Sequence, residues 1–249
     1  LGASPAAMVA SVSNAGGLGS LPCGSLPLDQ VAPQVDDLRA HTNKPFNLNF
    51  FVQNERPRVS DAALALAREK LAPFADDLGG VDLPEALSVP DPVPSPDMID
   101  YLCDVRPPVV SFHFGVPDAA VLSRLKSADI TLMCSATNVA EARVLEAAGI
   151  DVIIAQGWEA GGHRGAHRAT LPHEGVGTMA LVPQIVDAVS VPVVAAGGIA
   201  DGRGIVAALA LGASAVQMGT AFLCCPEATT DAPRLAHLAT APDTATMFT

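Results

Sequence analysis

Basic residues are scarce in this chain of 249 residues: 14 lysines and arginines face 26 aspartates and glutamates, for a formal net charge of −12. Such a surface has little with which to neutralise a run of phosphates, which argues against a nucleic-acid or other polyanion partner. The five cysteines form no C-x-x-C pair and have no histidine at metal-ligand spacing, so neither a zinc site nor a dithiol redox motif is indicated. Their odd number and apolar surroundings read as buried free thiols in a reducing cytoplasm, the expected compartment. No apolar run reaches the ~18 residues of a membrane span, and no signal-peptide pattern is visible. Also missing are a P-loop and an early G-x-G-x-x-G turn, which sets aside the common nucleotide-binding sheets.

What the chain has is apolar content, 49% of its residues, arranged as short runs that alternate with helical stretches. Helices are expected over residues 6–14, with Ser4 as N-cap and Pro5 at the first helical position, and then after Pro27, over 61–71, 98–103, 118–127, 139–148, 179–189 and 204–211. Strands are expected over 18–21, 46–52, 109–114, 130–134, 152–155, 191–196 and 215–218. Most of these are continuous Val/Ile/Leu/Ala runs, as strands covered on both faces are. Alternation throughout a chain of this length predicts an α/β fold of the (β/α)8 TIM-barrel type, one domain over residues 1–249. The proline-rich stretch 79–103 is an excursion on the barrel surface that ends in a short helix. A closed barrel needs eight strands and only seven are counted. The chain starts at Leu1 without a methionine, so the first strand is expected to lie ahead of it, and a C-terminal tail is expected beyond Thr249.

Barrel sites form at the carboxyl ends of the strands, with phosphate often held by the loops after the last two. Those loops here are VVAAGGIADGRG, with Gly197 and Gly198, and AVQMGTAF, with Gln217, Met218, Gly219 and Thr220. Small residues between strand and helix leave backbone N–H groups free to face an anion. With no P-loop lysine and no metal-ligand cluster, the phosphate is expected to belong to a tightly held cofactor. Asn49 and Gln156 end strands and offer amides suited to a flavin edge. The stretch DVIIAQGWEAGGHRG joins such a strand to Gly161 and Gly162, which let backbone approach a flat ligand, and then to His163. A lone histidine is more often structural, but one behind a double glycine at a barrel strand end is a candidate base or donor over the ligand. His113, at the end of its own strand, is the second catalytic candidate. His41, His167, His173 and His237 read as surface or structural residues, Glu159 as a brace and Cys134 as core.

Taken together, GGLGS, PFNLNFF, VVSFHFGVP, AQGWEAGGHRG, VVAAGGIADGRG and AVQMGTAFL closely resemble the nitronate monooxygenase family, formerly called 2-nitropropane dioxygenases, from about Ser11 to Cys225. The resemblance implies an FMN-containing barrel that oxidises alkyl nitronates, such as propionate 3-nitronate, with O2. The products would be a carbonyl compound and nitrite, formed by way of a flavin semiquinone. It implies FMN contacts at Asn49, Gln156, Gly161, Gly198 and the run 217–220, with His163 as the active-site histidine and His113 near it. No metal is implied, and no partner beyond the small molecules and, for a homodimer, a second copy. Trp158 stands where relatives commonly carry a smaller apolar residue, and either shapes the pocket or packs under the loop. Three rival readings remain: an FMN-dependent enoyl-acyl carrier protein reductase using NAD(P)H, a non-catalytic flavin-binding paralogue, and a barrel isomerase acting on phosphorylated sugars.

Overall fold

A computed structural model describes residues 2–52, 59–86, 94–167, 174–242 and 244–245. The expected excursion lies partly outside them, and so does His173. Seven strands form one sheet: β1 (Gly19–Gly24), β2 (Phe46–Phe51), β3 (Val109–His113), β4 (Thr131–Ala136), β5 (Val152–Gln156), β6 (Val193–Ala196) and β7 (Ala215–Gln217). They are all parallel and stand in chain order, each paired with the next. The helices are α1 (Ala6–Asn14), α2 (Leu28–His41), α3 (Asp61–Asp77), α4 (Pro96–Val105), α5 (Ala119–Ser127), α6 (Val139–Ala147), α7 (Thr178–Val186), α8 (Gly202–Ala210) and α9 (Ala232–Thr240). A sheet that steps strand by strand around a curve, with a helical crossover between most neighbours, is the wall of a (β/α)8 barrel. Among the described residues β1 and β7 are not paired to each other.

Alternation along each strand sorts side chains into two sets. Leu48, Phe50, Val110, Phe112, Leu132, Cys134, Ile153 and Ala155 face the helices and join the main core with Val31, Leu38, Leu125, Leu145 and Ile185. The opposite set fills the barrel interior, which has two characters. Toward β4–β6 it is apolar, with Met133, Ile154, Val194 and Ala196 packed together. Toward β1–β3 it is polar: Asn47 Nδ2 donates to Ser20 and Ser111 Oγ, each at 2.8 Å, and Ser111 donates to Asn49 Oδ1 at 2.7 Å.

Several expectations are adjusted. Pro5, not Ser4, stands at the N-cap of α1, and no side chain caps it. Helix α3 continues six residues beyond the expected end at 71, through Asp77, because its Ala- and Leu-rich composition persists past Pro73. Helix α9 has no counterpart among the expected helices, and it buries no residue. All five cysteines are free, but only Cys23 and Cys134 are buried, and Cys224 is exposed. Burial raises the thiol pKa of Cys23 to about 12 and that of Cys134 further, which keeps both as inert core thiols. Among the described residues no helix is long and apolar enough to cross a membrane.

Candidate active site

The carboxyl ends of β3, β4 and β5 deliver His113, Ser135 and Gln156 to the barrel mouth. His113 Nε2 lies 3.1 Å from the His163 carbonyl, which can only accept, so the proton sits on Nε2. The other ring nitrogen, Nδ1, then accepts from Ser135 Oγ at 2.8 Å. Burial holds the pKa of His113 below the ordinary histidine value; the bond to the His163 carbonyl opposes this, and the neighbouring His163 and His167 add to it. Gln156 Nε2 donates to the same carbonyl at 2.9 Å, and its Oε1 accepts from Gly165 N at 2.6 Å. A Cβ at Gly165 would lie 2.4 Å from both His113 Cε1 and Ser135 Oγ, so the loop packs on these two side chains only because residue 165 has none.

A second set of bonds reaches the loop from α6. Glu141, 8% exposed, accepts from Thr137 N at 2.7 Å and Thr137 Oγ1 at 2.8 Å through Oε2, and from His167 N at 3.1 Å through Oε1. His167 Nε2 donates to the Ser135 carbonyl at 2.9 Å. The main chain around His163 is thus fixed from β3, β4, β5 and α6, while its imidazole is exposed and meets no hydrogen-bond partner among the described residues. Two aromatic rings collar it: Phe51 at 5.3 Å and Phe114 at 5.6 Å, both edge-on. Phe114 holds φ at 74°, a left-handed conformation that non-glycine residues rarely adopt and that recurs at functional sites.

On the β6–β7 side, Gly197 and Gly198 take φ of 113° and 68°. A Cβ on Gly197 would strike Ala160 N at 2.8 Å, so this turn seats directly under the loop of His163. Glu159 braces the contact: its Oε2 accepts from Thr178 N at 2.8 Å, and the Thr178 hydroxyl lies 2.9 Å from both Glu159 Oε2 and the Gly197 carbonyl, donating to one at a time. Thr220 Oγ1 stands 3.1 Å from where a Cβ on Gly161 would be, which joins the loop after β7 to the double glycine. By contrast, Cβ atoms on Gly162 or Gly219 would meet nothing within 4 Å. Among the described residues, turn hydrogen bonds in these loops do not use the N–H groups of Gly198 or Gly219. The first turn of α8 is already capped by Asp201, whose carboxyl pKa is lowered by Arg203, so an anion here would meet the turn amides and not the helix end.

The structure therefore gathers His113, Gln156, Gly161, Gly162, His163, Gly197, Gly198 and Thr220 around one mouth. Asn49 belongs to the neighbouring polar interior, with Oδ1 taken by Ser111 and Nδ2 unbonded among the described residues. Gln217 and Met218 end β7 beside Gly219, with Gln217 exposed. Trp158 packs face-on against Gly175, where a Cβ would fall 2.1 Å from the ring, and Arg164 stacks over it at 4.3 Å. Ser135, Glu141, Phe51 and Phe114 are not among the site residues that the sequence singles out, and His167, expected as a surface or structural residue, is a structural one here. The one available signal was Asn138-x-x-Glu141, a capping-box spacing: Asn138 Oδ1 does accept from Glu141 N, while the glutamate reaches back to Thr137. Among the described residues, no group of three or more His, Cys, Asp or Glu could hold a metal.

Fold and mouth together define a barrel of the (β/α)8 class whose candidate site is built from the loops at the carboxyl ends of its strands. The model of the nitronate monooxygenase family matches residues 2–249, and the chain belongs to that family. It is 46% identical over 233 residues to a protein named nitronate monooxygenase from Paraburkholderia phytofirmans, covering 92% of this chain and 63% of the relative. It is 43% identical to one from Pseudomonas aeruginosa, covering 93% and 66%. The chain thus spans less than two thirds of the length of these relatives. Among solved structures, a nitroalkane oxidase from Streptomyces ansochromogenes superposes with a TM-score of 0.89 at 40% identity, covering 95% of this chain and 67% of that one. FabK from Thermotoga maritima is more distant, with a TM-score of 0.70 at 32% identity and coverage of 96% and 61%.

Proposed function

We propose that this chain binds FMN and oxidises alkyl nitronates with O2 to a carbonyl compound and nitrite. The observation that carries the reading is the contrast at His163: its backbone is immobilised from several sides while its ring is bare inside an aromatic collar. The residues present fit a flavin phosphate and ring edge. The turn amides of Gly197, Gly198 and Gly219 with the Thr220 hydroxyl would hold the phosphate. The remaining amide hydrogens of Asn49 and Gln156, with the backbone of Gly161, Gly162, Gln217 and Met218, would line the ring. The open space beside Gly162 and Gly219 is where such a ligand would lie. When bound, FMN supplies the electron acceptor that no side chain provides.

The chain's own residues handle charge and protons. A nitronate arrives already deprotonated, and a His163 ring nitrogen donates toward its nitro-group oxygens. With a neutral nitroalkane the same nitrogen removes the α-proton. His113 is assigned to positioning, because both of its nitrogens are engaged by Ser135 and the His163 carbonyl. The expected setting is cytoplasmic, as a monomer or homodimer. His163→Asn tests the role. The variant should keep its flavin absorbance and lose most turnover of neutral nitroalkanes, and unchanged kinetics on them would sink it. The enoyl reductase reading, to which the FabK likeness is relevant, is separated by rapid mixing. Anaerobic flavin bleaching by NADH would favour the reductase, and nitrite release from a nitronate the monooxygenase.

A further inference from the structure

At the same end of the sheet, the loop after β1 and the first turn of α4 border a half-open cavity of about 450 Å³. That falls within the roughly 300–1,000 Å³ of small-ligand sites. Leu26, Leu28, Phe50 and Met98 give it an apolar lining. Asp29 and Asp97, in the first turns of α2 and α4, stand at its rim, and no cationic side chain is among the described lining residues. Phe51 borders both the cavity and the site: the residue lines the cavity, and its ring is 5.3 Å from that of His163.

We propose that this cavity receives the apolar tail of the substrate, while its acidic rim disfavours a tail that ends in a carboxylate. The proposal rests on the nitronate reading insofar as it places the reacting head group at His163. Moving a methylene from water into such a lining is worth about fourfold in binding. A tail carboxylate would give up its hydration without a cation to meet, and would face two like charges. The preferred substrates are therefore alkyl nitronates of several carbons, not the carboxylate-bearing kind exemplified by propionate 3-nitronate.

The test is calorimetric titration of the purified flavin-loaded protein with 1-nitropentane, 1-nitropropane and 3-nitropropionate. Nitropentane should bind on the order of tenfold tighter than nitropropane, with 3-nitropropionate weakest. Leu28→Trp should fill the cavity and remove the preference for the longer chain, and Leu26→Phe provides a milder filling should the first variant fold poorly. Asp29→Asn combined with Asp97→Asn should bring 3-nitropropionate several-fold closer to its neutral counterparts, as should raised salt. Equal binding of the two nitroalkanes by the unmodified protein overturns the proposal, as does an unaltered preference in a folded, filled variant. Loss of flavin from a folded Leu28→Trp protein would assign the cavity to the cofactor and overturn it too. Because heat and not nitrite is read, a protein that binds the longer chain yet releases no nitrite keeps the cavity and loses the nitronate reading.

Discussion

On the β3–β5 side of the mouth, protein atoms satisfy one another: Ser135 meets His113, His113 and Gln156 share the His163 carbonyl, and Glu141 takes up the loop amide of His167. On the β6–β7 side the opposite holds. Strand β7 has exposed ends, α8 buries only Ala208, and the amides of Gly198 and Gly219 make no turn hydrogen bonds among the described residues. The first side is finished by the chain itself, and the second has the form of a surface that a ligand completes. Substitutions on the two sides should accordingly fail in different ways, the first in folding and geometry, the second in ligand retention.

Gly165→Ala is the most damaging single change expected on the finished side. Its methyl would sit 2.4 Å from His113 and Ser135, both held by hydrogen bonds, so the loop must lift. Overpacking of this kind costs about 1–3 kcal/mol, and a displacement of His163 by an ångström would lower turnover on the order of 10²-fold. Gly162→Ala is the control. It carries positive-φ strain of about 1 kcal/mol but meets no atom, so its loss in a urea titration should be much smaller. Equal losses would mean that the packing of residue 165 does not hold the loop. Glu141→Ala comes next. It strands the buried Thr137 N, at about 1–3 kcal/mol for a buried group left unpaired, and frees the half-buried His167 N. Glu141→Gln keeps an acceptor for Thr137 and should recover part of that stability, while still freeing His167 N and lowering turnover.

The two sides also differ in how far they could be read from the sequence. All seven strands were legible, because apolar runs bounded by glycine and proline leave few alternatives. The glycine turns at 197–198 and 219 were legible too, since that chemistry is local. The histidine side was only half legible. His113, Gln156 and His163 announced themselves as polar groups at strand ends, but their partners come from elsewhere in the chain. Ser135 is 22 residues from His113, and Glu141 is 26 from His167. Nothing local in Leu-Met-Cys-Ser-Ala marks the serine as a donor to an imidazole. Gln156 shows the same limit, since much of its amide serves the protein's own loop and only the remainder is available to a ligand.

On the β6–β7 side the expected effects are smaller and of another kind. Gly219 has φ of −118°, which any residue adopts, and open space where its Cβ would be. Gly219→Ala should therefore leave the urea midpoint of the flavin-free protein unchanged while raising the flavin dissociation constant several-fold, if phosphate lies against that amide. Gly198→Ala adds strain at φ 68°, about 1 kcal/mol, and should weaken both. Unchanged flavin affinity in both variants would remove the phosphate from these loops and leave the second side without its stated purpose.

The smallest effect expected is a pH dependence that belongs to the histidine side alone. Burial depresses the pKa of His113 in the folded chain below the roughly 6.5 of an unfolded histidine. Between those two values the unfolded state binds more protons, so stability contributed by the neutral ring is present above about pH 6.5 and is lost as pH falls toward the folded pKa. The geometry gives the same sign. Protonating Nδ1 would turn the acceptor of the Ser135 hydroxyl into a donor, and the hydroxyl hydrogen would have to turn away and find another acceptor. His113→Gln removes the titrating ring while its amide can still donate toward the His163 carbonyl. Unfolding free energies taken at pH 7.5 and 5.5 should fall more steeply for the unmodified protein than for this variant. Parallel slopes would mean that His113 is not held neutral by its surroundings, and that the loop of His163 does not depend on the Nε2 tautomer.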